Sequence, residues 1–226
     1  EAMNGTINDP GLFIEQCIEA LGGWEALQGV LSLYCELERL SWSADEAPHT
    51  LRSDIYRARG GRIRIEDFIT TDTRIVTIIN GLSGVRQRAQ QSGAQLKIVQ
   101  ERPLDVVEVE SIKRSVRLYP RNFLAHADEH QYEFRGLQLV EASQVYMIEL
   151  PVEEITYYFD PSSFQCLSLH DRRSKTVTRY EDYRFTDGVL TPFVERVTEK
   201  EENFRLDTIR SIEYNLILED HLFNLP

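Results

Sequence analysis

The sequence has no apolar run long enough to cross a bilayer, only three cysteines, and a shortage of positive charge. The first absence excludes a membrane-spanning helix. Cys17, Cys35 and Cys166 are too scattered for metal-ligand spacing. One disulfide is arithmetically possible and would leave one thiol over, and the sequence does not choose the pair. Free thiols packed like small hydrophobes are the simpler expectation. Lys and Arg number 25 against 37 Asp and Glu, for a formal net charge of −12. Such a surface repels phosphate backbones and anionic lipid headgroups, so nucleic acid is not an expected partner. An apolar ligand in a cavity remains compatible with it. The opening Glu1-Ala2-Met3-Asn4-Gly5 has neither a basic n-region nor an apolar h-region. Either the protein is cytosolic or a signal segment lies outside this sequence.

Catalytic signatures are missing as well. There is no Gly-x-Ser-x-Gly elbow, no phosphate-cradling Gly-x-x-x-x-Gly-Lys and no dinucleotide Gly-x-Gly-x-x-Gly, so no cofactor is implied and no catalytic residue is named. His126 and His130 stand four apart and would reach one metal from a continuous helix. Pro120 and the polar run 125–131 make that segment a fraying helix end, and no metal site is assigned. His170-Asp171-Arg172-Arg173 reads as a polar hairpin turn. Glu153-Glu154 and Glu201-Glu202 read as solvated charges that keep strand edges apart.

What is present is patterned apolar residue, 42% hydrophobic and 10% aromatic over 226 positions. That is enough for a substantial core in one large β domain. Residues 9–27 read as a helix, with Asp9 as N-cap, Pro10 at the first position, and Phe13, Cys17, Ile18 and Leu21 on one face. Gly22-Gly23 interrupts it. From Val30 the period becomes two: Leu31, Leu33, Cys35 and Leu37 alternate with polar neighbours. Further strands are expected at 50–59, 61–68, 73–80, 84–90 and 94–99, with Gly60-Gly61, Asn80-Gly81 and Ser92-Gly93 as turns. Pro103 is expected to open a helical insertion over 104–127, carrying Val106, Val109, Ile112, Val116 and Phe123, which Pro120 should stop or kink. Strands return at 131–139, 143–150, 155–160, 164–171, 176–185, 189–198 and 204–214. Asp160-Pro161, Asp187-Gly188 and the charged run 199–203 supply turns. Alternation places Tyr157 and Phe159 on one side and Tyr158 on the other. Tyr157, Tyr158, Tyr180, Tyr183 and Tyr214 are expected mainly in the core, with a pocket lining as the other option.

No linker divides the chain, so a single domain over residues 1–226 is expected. It should be mainly β (α+β): one strongly curved antiparallel sheet, or half-open β-barrel, with the segments near 9–27 and 103–127 as a helical lid. Ile18-Glu19-Ala20-Leu21-Gly22-Gly23-Trp24-Glu25-Ala26-Leu27 with Val30-Leu31-Ser32 resembles the opening of bacterial periplasmic domains of the lipoprotein-carrier (LolA/LolB-like) superfamily. So do Tyr180-Glu181-Asp182-Tyr183-Arg184, Asp187-Gly188-Val189-Leu190-Thr191-Pro192, Ile212-Glu213-Tyr214-Asn215 and the ending Asp220-His221-Leu222-Phe223-Asn224-Leu225-Pro226. Asn80-Gly81 and Tyr157-Tyr158-Phe159-Asp160-Pro161 fall where that group has a hairpin turn and a strand followed by a turn. The resemblance implies an incomplete barrel lidded over an apolar cavity, export to the periplasm, and a hydrophobic or lipid-like ligand such as a lipoprotein acyl chain, without enzymatic activity. The lipobox cysteine of an anchored member is not visible.

The lining expected from alternation is Leu31, Leu33, Leu37, Ile55, Ile63, Ile65, Ile75, Val145 and Met147, faced from the lid by Val109, Ile112 and Val116. Ser53 and Arg57 share the face of Ile55 and need partners or water there. A module with a filled interior, acting through a protein partner, is the alternative.

Overall fold

A computed structural model describes residues 6–43, 47–200 and 202–226, with Asn203 described in its backbone alone. The opening five residues and Glu201 of the expected charged turn lie outside the described residues. The chain is mostly antiparallel β. Strands β1 (Ser32–Ser41), β2 (His49–Ala58), β3 (Arg62–Phe68), β4 (Thr73–Asn80), β5 (Ser83–Ser92) and β6 (Gln95–Pro103) precede the helical insertion. After it come β7 (Glu133–Val140), β8 (Ser143–Leu150), β9 (Ile155–Phe159), β10 (Cys166–Asp171), β11 (Thr176–Thr186), β12 (Val189–Glu199) and β13 (Glu202–Tyr214). They form one open sheet, not closed into a barrel, in the order β6-β5-β4-β3-β2-β1-β13-β12-β11-β10-β9-β8-β7. Every neighbour but β1–β13 is consecutive in sequence, which is what serial hairpin signals produce.

Backbone contacts divide the chain into two compact units. The first comprises residues 1–28 and 118–206, the second residues 29–117 and 207–226.

In the first unit, α1 (Pro10–Ala20) begins as its sequence dictates: Asp9 stays extended and its Oδ1 accepts the Leu12 N–H at 2.7 Å, with Pro10 in the first turn. Phe13, Ile14, Cys17 and Ile18 are its buried face. The helix stops at Gly22, whose φ of +118° suits glycine, and a Cβ there would sit 2.0 Å from the Gly188 carbonyl oxygen. Close approach lets the Leu190 N–H donate to the Leu21 carbonyl at 2.9 Å, fastening the helix end to β12. The short α2 (Gly23–Gln28) follows. Later, α4 (Pro120–Ala125) starts at a proline preceded by an extended Tyr119, and a 3-10 turn spans Ala127–Glu129.

In the second unit, α3 (Val106–Arg117) lies against the sheet through Val109, Ile112 and Val116. Its start differs from expectation. Pro103 is the last residue of β6, not a helix opener, because the Leu104 N–H still donates to the Gly84 carbonyl at 2.9 Å. The helix begins at Val106 because Asp105 and Glu108 form a reciprocal cap. The Glu108 N–H donates to Asp105 Oδ1 at 2.8 Å and the Asp105 N–H to Glu108 Oε2 at 3.2 Å. Leu104 sits so close to β5 that a Cβ on Gly84 would lie 2.8 Å from its methyl. The opposite face of β4 and β5 carries Val76, Ile78, Val85 and Ala89, covered by Leu225. Phe223 is fully buried, the Leu222 carbonyl accepts from Arg64 at 3.1 Å, and the Phe223 carbonyl accepts from Asn80 at 3.3 Å. The final residues are therefore a strap held by both apolar burial and backbone acceptors.

Candidate functional site

The first unit is built around aromatic rings. Phe13 of α1 stacks on Phe134 at 4.9 Å and meets Tyr146 at 4.8 Å, Phe159 at 5.4 Å and Phe164 at 6.1 Å between ring centres. Register explains the convergence: Tyr146 pairs with Phe159, Ile148 with Tyr157 and Leu150 with Ile155, so these six share one face. Tyr157 and Phe159 are fully buried there, while Tyr158 points the other way against His170, as alternation requires. Phe123 of α4 stacks on Tyr157 at 4.7 Å, and the Tyr157 hydroxyl donates to the Leu118 carbonyl at 2.8 Å. The hydroxyl fixes the backbone just before α4.

Beside this cluster lies a shallow recess, partly open to solvent, whose sheltered room of about 10 Å³ is that of a single water molecule. Its walls are Leu21 at the end of α1, Tyr119, Pro120, Arg121 and Leu124 of the α4 segment, and Phe164, Cys166, Tyr183, Leu190, Thr191 and Pro192. That is well below the size of a small-ligand site, so the side chains here nearly fill the space between them. Tyr183 and Tyr180 stand three apart in β11, and Asp182 between them takes φ 54°, a break in the pleat. Tyr180 meets Tyr119 edge-on at 5.8 Å, and the Tyr183 hydroxyl donates to the Cys166 carbonyl at 2.7 Å. Burial pushes the Cys166 thiol far up, and the same effect, reinforced by Cys166, raises Cys17. Burial also lifts the Tyr180 and Tyr183 phenols well above their ordinary range. These groups stay protonated and neutral at physiological pH, so the recess offers no thiolate or phenolate nucleophile. The Arg121 guanidinium is its one cation, resting over the Tyr119 ring at 5.8 Å. Chemically the walls of the recess are mainly hydrocarbon.

The lining residues expected from alternation are distributed differently. Leu33, Leu37, Ile55, Ile63, Ile65 and Ile75 do share one sheet face in the second unit, through the pairs Cys35–Ile55, Leu37–Ser53, Ile55–Ile65 and Ile63–Ile79. Val109, Ile112 and Val116 of α3 come down on that face: Ile63, Ile79, Leu104 and Val109 form one buried cluster, with Ile65, Ile112 and Val116 against it. The facing arrangement is present, and the side chains touch one another. Leu31 precedes β1 and is 42% exposed, its N–H donating to Asn215 Oδ1. Val145 and Met147 belong to the first unit and alternate with Tyr146 and Ile148, so they point away from the aromatic cluster. Ser53 is fully buried on the α3 face, and its hydroxyl donates to Asp67.

Several buried polar groups in the second unit are paired. Asp207, buried in β13, takes two hydrogen bonds from Arg39, at 2.8 and 2.9 Å. On the face opposite α3, Glu66 is held between Arg64 and Arg74, both at 2.7 Å. Burial works to raise its carboxyl, but the hydrogen bonds and charges of Arg74 and Arg64 outweigh that and keep it below the usual range. Arg52 and Arg74 lie over the Phe68 ring at 4.8 and 4.9 Å.

Among the described residues, no three His, Cys, Asp or Glu side chains gather as a metal site. His126 and His130 flank the 3-10 turn and are not on one helix; His126 Nδ1 lies 3.1 Å from Glu129, and His130 packs edge-on against Phe123. Asp171 closes the hairpin by accepting the Arg173 and Ser174 N–H groups, which makes that run a turn. No described helix is long and apolar enough to cross a membrane.

Most of the recess escaped sequence reading. Leu190-Thr191-Pro192 and Tyr183 were visible as part of the resemblance and of the tyrosine group, whereas Tyr119, Leu124 and Phe164 carry no local signal of a pocket.

This architecture, an open antiparallel sheet with helices laid on it, is the LolA-like fold. Among solved structures, the chain is similar to a DUF1329 family protein from Desulfovibrio piger, at 15% identity and a TM-score of 0.59, covering 96% of this chain and 98% of that one. It is also similar to a LolA superfamily protein from Nitrosomonas europaea, at 12% identity and TM-score 0.58, covering 94% and 97%. A domain assigned to outer-membrane lipoprotein sorting in Vibrio parahaemolyticus matches at 11% identity and TM-score 0.51, covering 94% and 95%. No protein-family model and no curated protein matches the sequence.

Proposed function

We propose that the chain is a non-enzymatic, exported bacterial protein that binds a hydrophobic or lipid-like ligand under its helices. The observation that carries this reading is the apolar seam of the first unit, where Leu21, Leu124, Phe164, Leu190 and two prolines meet around a shallow recess at the junction of α1 and α4 with the sheet. On this proposal a ligand chain enters by parting α1 and α4 from the sheet; burying about 300 Å² of it is worth on the order of 7 kcal/mol before association and opening costs, so no ionic contact is required. The LolA-like fold supports the reading by analogy of scaffold only. On this proposal the protein works in the periplasm or beyond it, and a lipoprotein acyl chain is one candidate cargo.

The test is titration of the full chain with a fluorescent long-chain acyl probe, alongside native mass spectrometry of protein purified from its source. Saturable probe binding is expected, weakened about tenfold or more by Leu124→Trp, which fills the recess, with the far-UV spectrum unchanged. If the wild-type chain binds no apolar probe and carries no co-purified lipid, the proposal is wrong. The second reading, a filled module acting through a protein partner, then gains ground; it is favoured by the closely stacked rings around Phe13 and by the closed contact of α3 on Ile63, Ile65 and Ile79.

A further inference from the structure

The three cysteines are reduced and buried, and two of them belong to the first unit. On α1, Phe13, Cys17 and Leu21 follow one another at four-residue steps, one above the other on the buried face. What each end of that row touches is known. Phe13 meets the Phe159 ring at 5.4 Å, and Phe159 is the cross-strand partner of Cys166. Leu21 lines the same recess as Cys166. Cys17 sits between these two turns on the buried face of α1, and Cys166 shares the sheet face of Phe159 that α1 covers, its Sγ donating to the Ser168 carbonyl at 3.5 Å. Each thiol also acts electrostatically on the Tyr183 phenol. Cys35 belongs to the other unit, on β1.

We propose that Cys17 and Cys166 are an oxidative modification site, closing to a disulfide that ties α1 to β10 when the chain meets a disulfide donor such as oxidised glutathione. One sulfur, after losing its proton, attacks the glutathione disulfide and releases one glutathione thiol. The second sulfur, also deprotonated, displaces the other glutathione, so two protein thiols are oxidised while one glutathione disulfide is reduced to two thiols. Both groups are buried and held protonated, so the exchange proceeds through transient lifting of α1 and is slow relative to an exposed thiol. The proposal is independent of ligand binding.

The test uses the full chain and its Cys35→Ser variant. Each is equilibrated with oxidised glutathione under native conditions, quenched in acid, unfolded, alkylated and weighed intact. The wild type is expected to lose about 2 Da and take up one alkyl group, and the variant to take up none. Peptide mapping should join the segments holding residues 17 and 166. The oxidised variant should melt roughly 5–10 °C above its reduced form, because the cross-link closes a long loop. Cys17→Ala and Cys166→Ala, each made in the wild-type chain, should both keep two alkylatable thiols. Three alkyl groups on the wild type, an end state of glutathione adducts, a bridge involving Cys35, or a cross-link that lowers the melting point would each overturn the assignment.

Discussion

The two units use one kind of sheet and close it by opposite means. The first buries rings: Phe13 from α1 and Phe123 from α4 stack onto Tyr157, Phe159 and their neighbours, and flat rings meeting short helices leave a gap at Leu21, Leu124 and Leu190. The second buries branched aliphatics under a longer helix, Val109, Ile112 and Val116 on Ile63, Ile65 and Ile79, and clamps that helix with ions at its rim. Glu108 meets Arg102 at 2.7 Å and Arg86 at 3.4 Å, and Lys113 donates to the Gly81 carbonyl at 3.0 Å. Branched aliphatics pack through dense contact alone, whereas large rigid rings also meet at preferred angles. The recess lies in the aromatic unit.

The largest expected effect breaks the aromatic side. Phe13→Ala removes a fully buried ring that meets four others and should cost about 4 kcal/mol, against about 3 kcal/mol for Ile79→Ala in the other unit. Denaturant melts of both variants check this. Treating residues 1–226 as one cooperative domain is itself a proposal, and it expects each substitution to shift a single shared transition. Two resolved transitions, each sensitive to only one of the variants, would show that the units fold separately.

A smaller effect sharpens how α4 is fixed. Tyr157→Phe keeps the stacked ring but leaves the buried Leu118 carbonyl without its donor, at a cost of about 1–2 kcal/mol. If that melt is unchanged, the ring alone positions the segment. The α3 cap should be worth less: Asp105→Ala is expected to lose about 1 kcal/mol, read by denaturation and by faster amide exchange at the first turn of α3.

Smallest is a pH effect at the same helix start. The hydrogen bond from Arg102, followed by that from the Asp105 N–H, lowers the Glu108 carboxyl from 4.5 to about 2. A carboxyl lowered on folding stabilises the folded state above its unfolded value and loses that contribution as it is protonated. Protection of α3 should therefore be complete above pH about 4.5 and fall as the pH drops toward 2. Glu108→Gln should remove this dependence, and salt should weaken it because the pair is exposed. A variant with the wild-type acid profile would place the titration elsewhere.

The strand pattern was readable because a half-buried strand writes its face into alternate residues. The run 73–80 coincides with β4, and 143–150 with β8. Asp9-Pro10 named the start of α1 through local capping chemistry. Pro103 misled, since a proline is as acceptable at the end of an edge strand as at the head of a helix, and the decision fell to Asp105 and Glu108. The face under α3 was legible for the same reason as the strands: Leu33, Leu37, Ile55, Ile63, Ile65 and Ile75 keep step through consecutive two-residue periods. Val145 and Met147 follow an equally good alternation, yet in β8 both faces are partly apolar, and period two does not say which of them meets α1.

By itself the sequence determined the strands, their serial pairing, the capped helices and the separation of apolar from wet faces, all consequences of interactions between residues near in the chain. Only the tertiary structure decided which surfaces are filled and which leave space. Those depend on packing among residues more than a hundred positions apart, where shape rather than pattern sets the contact.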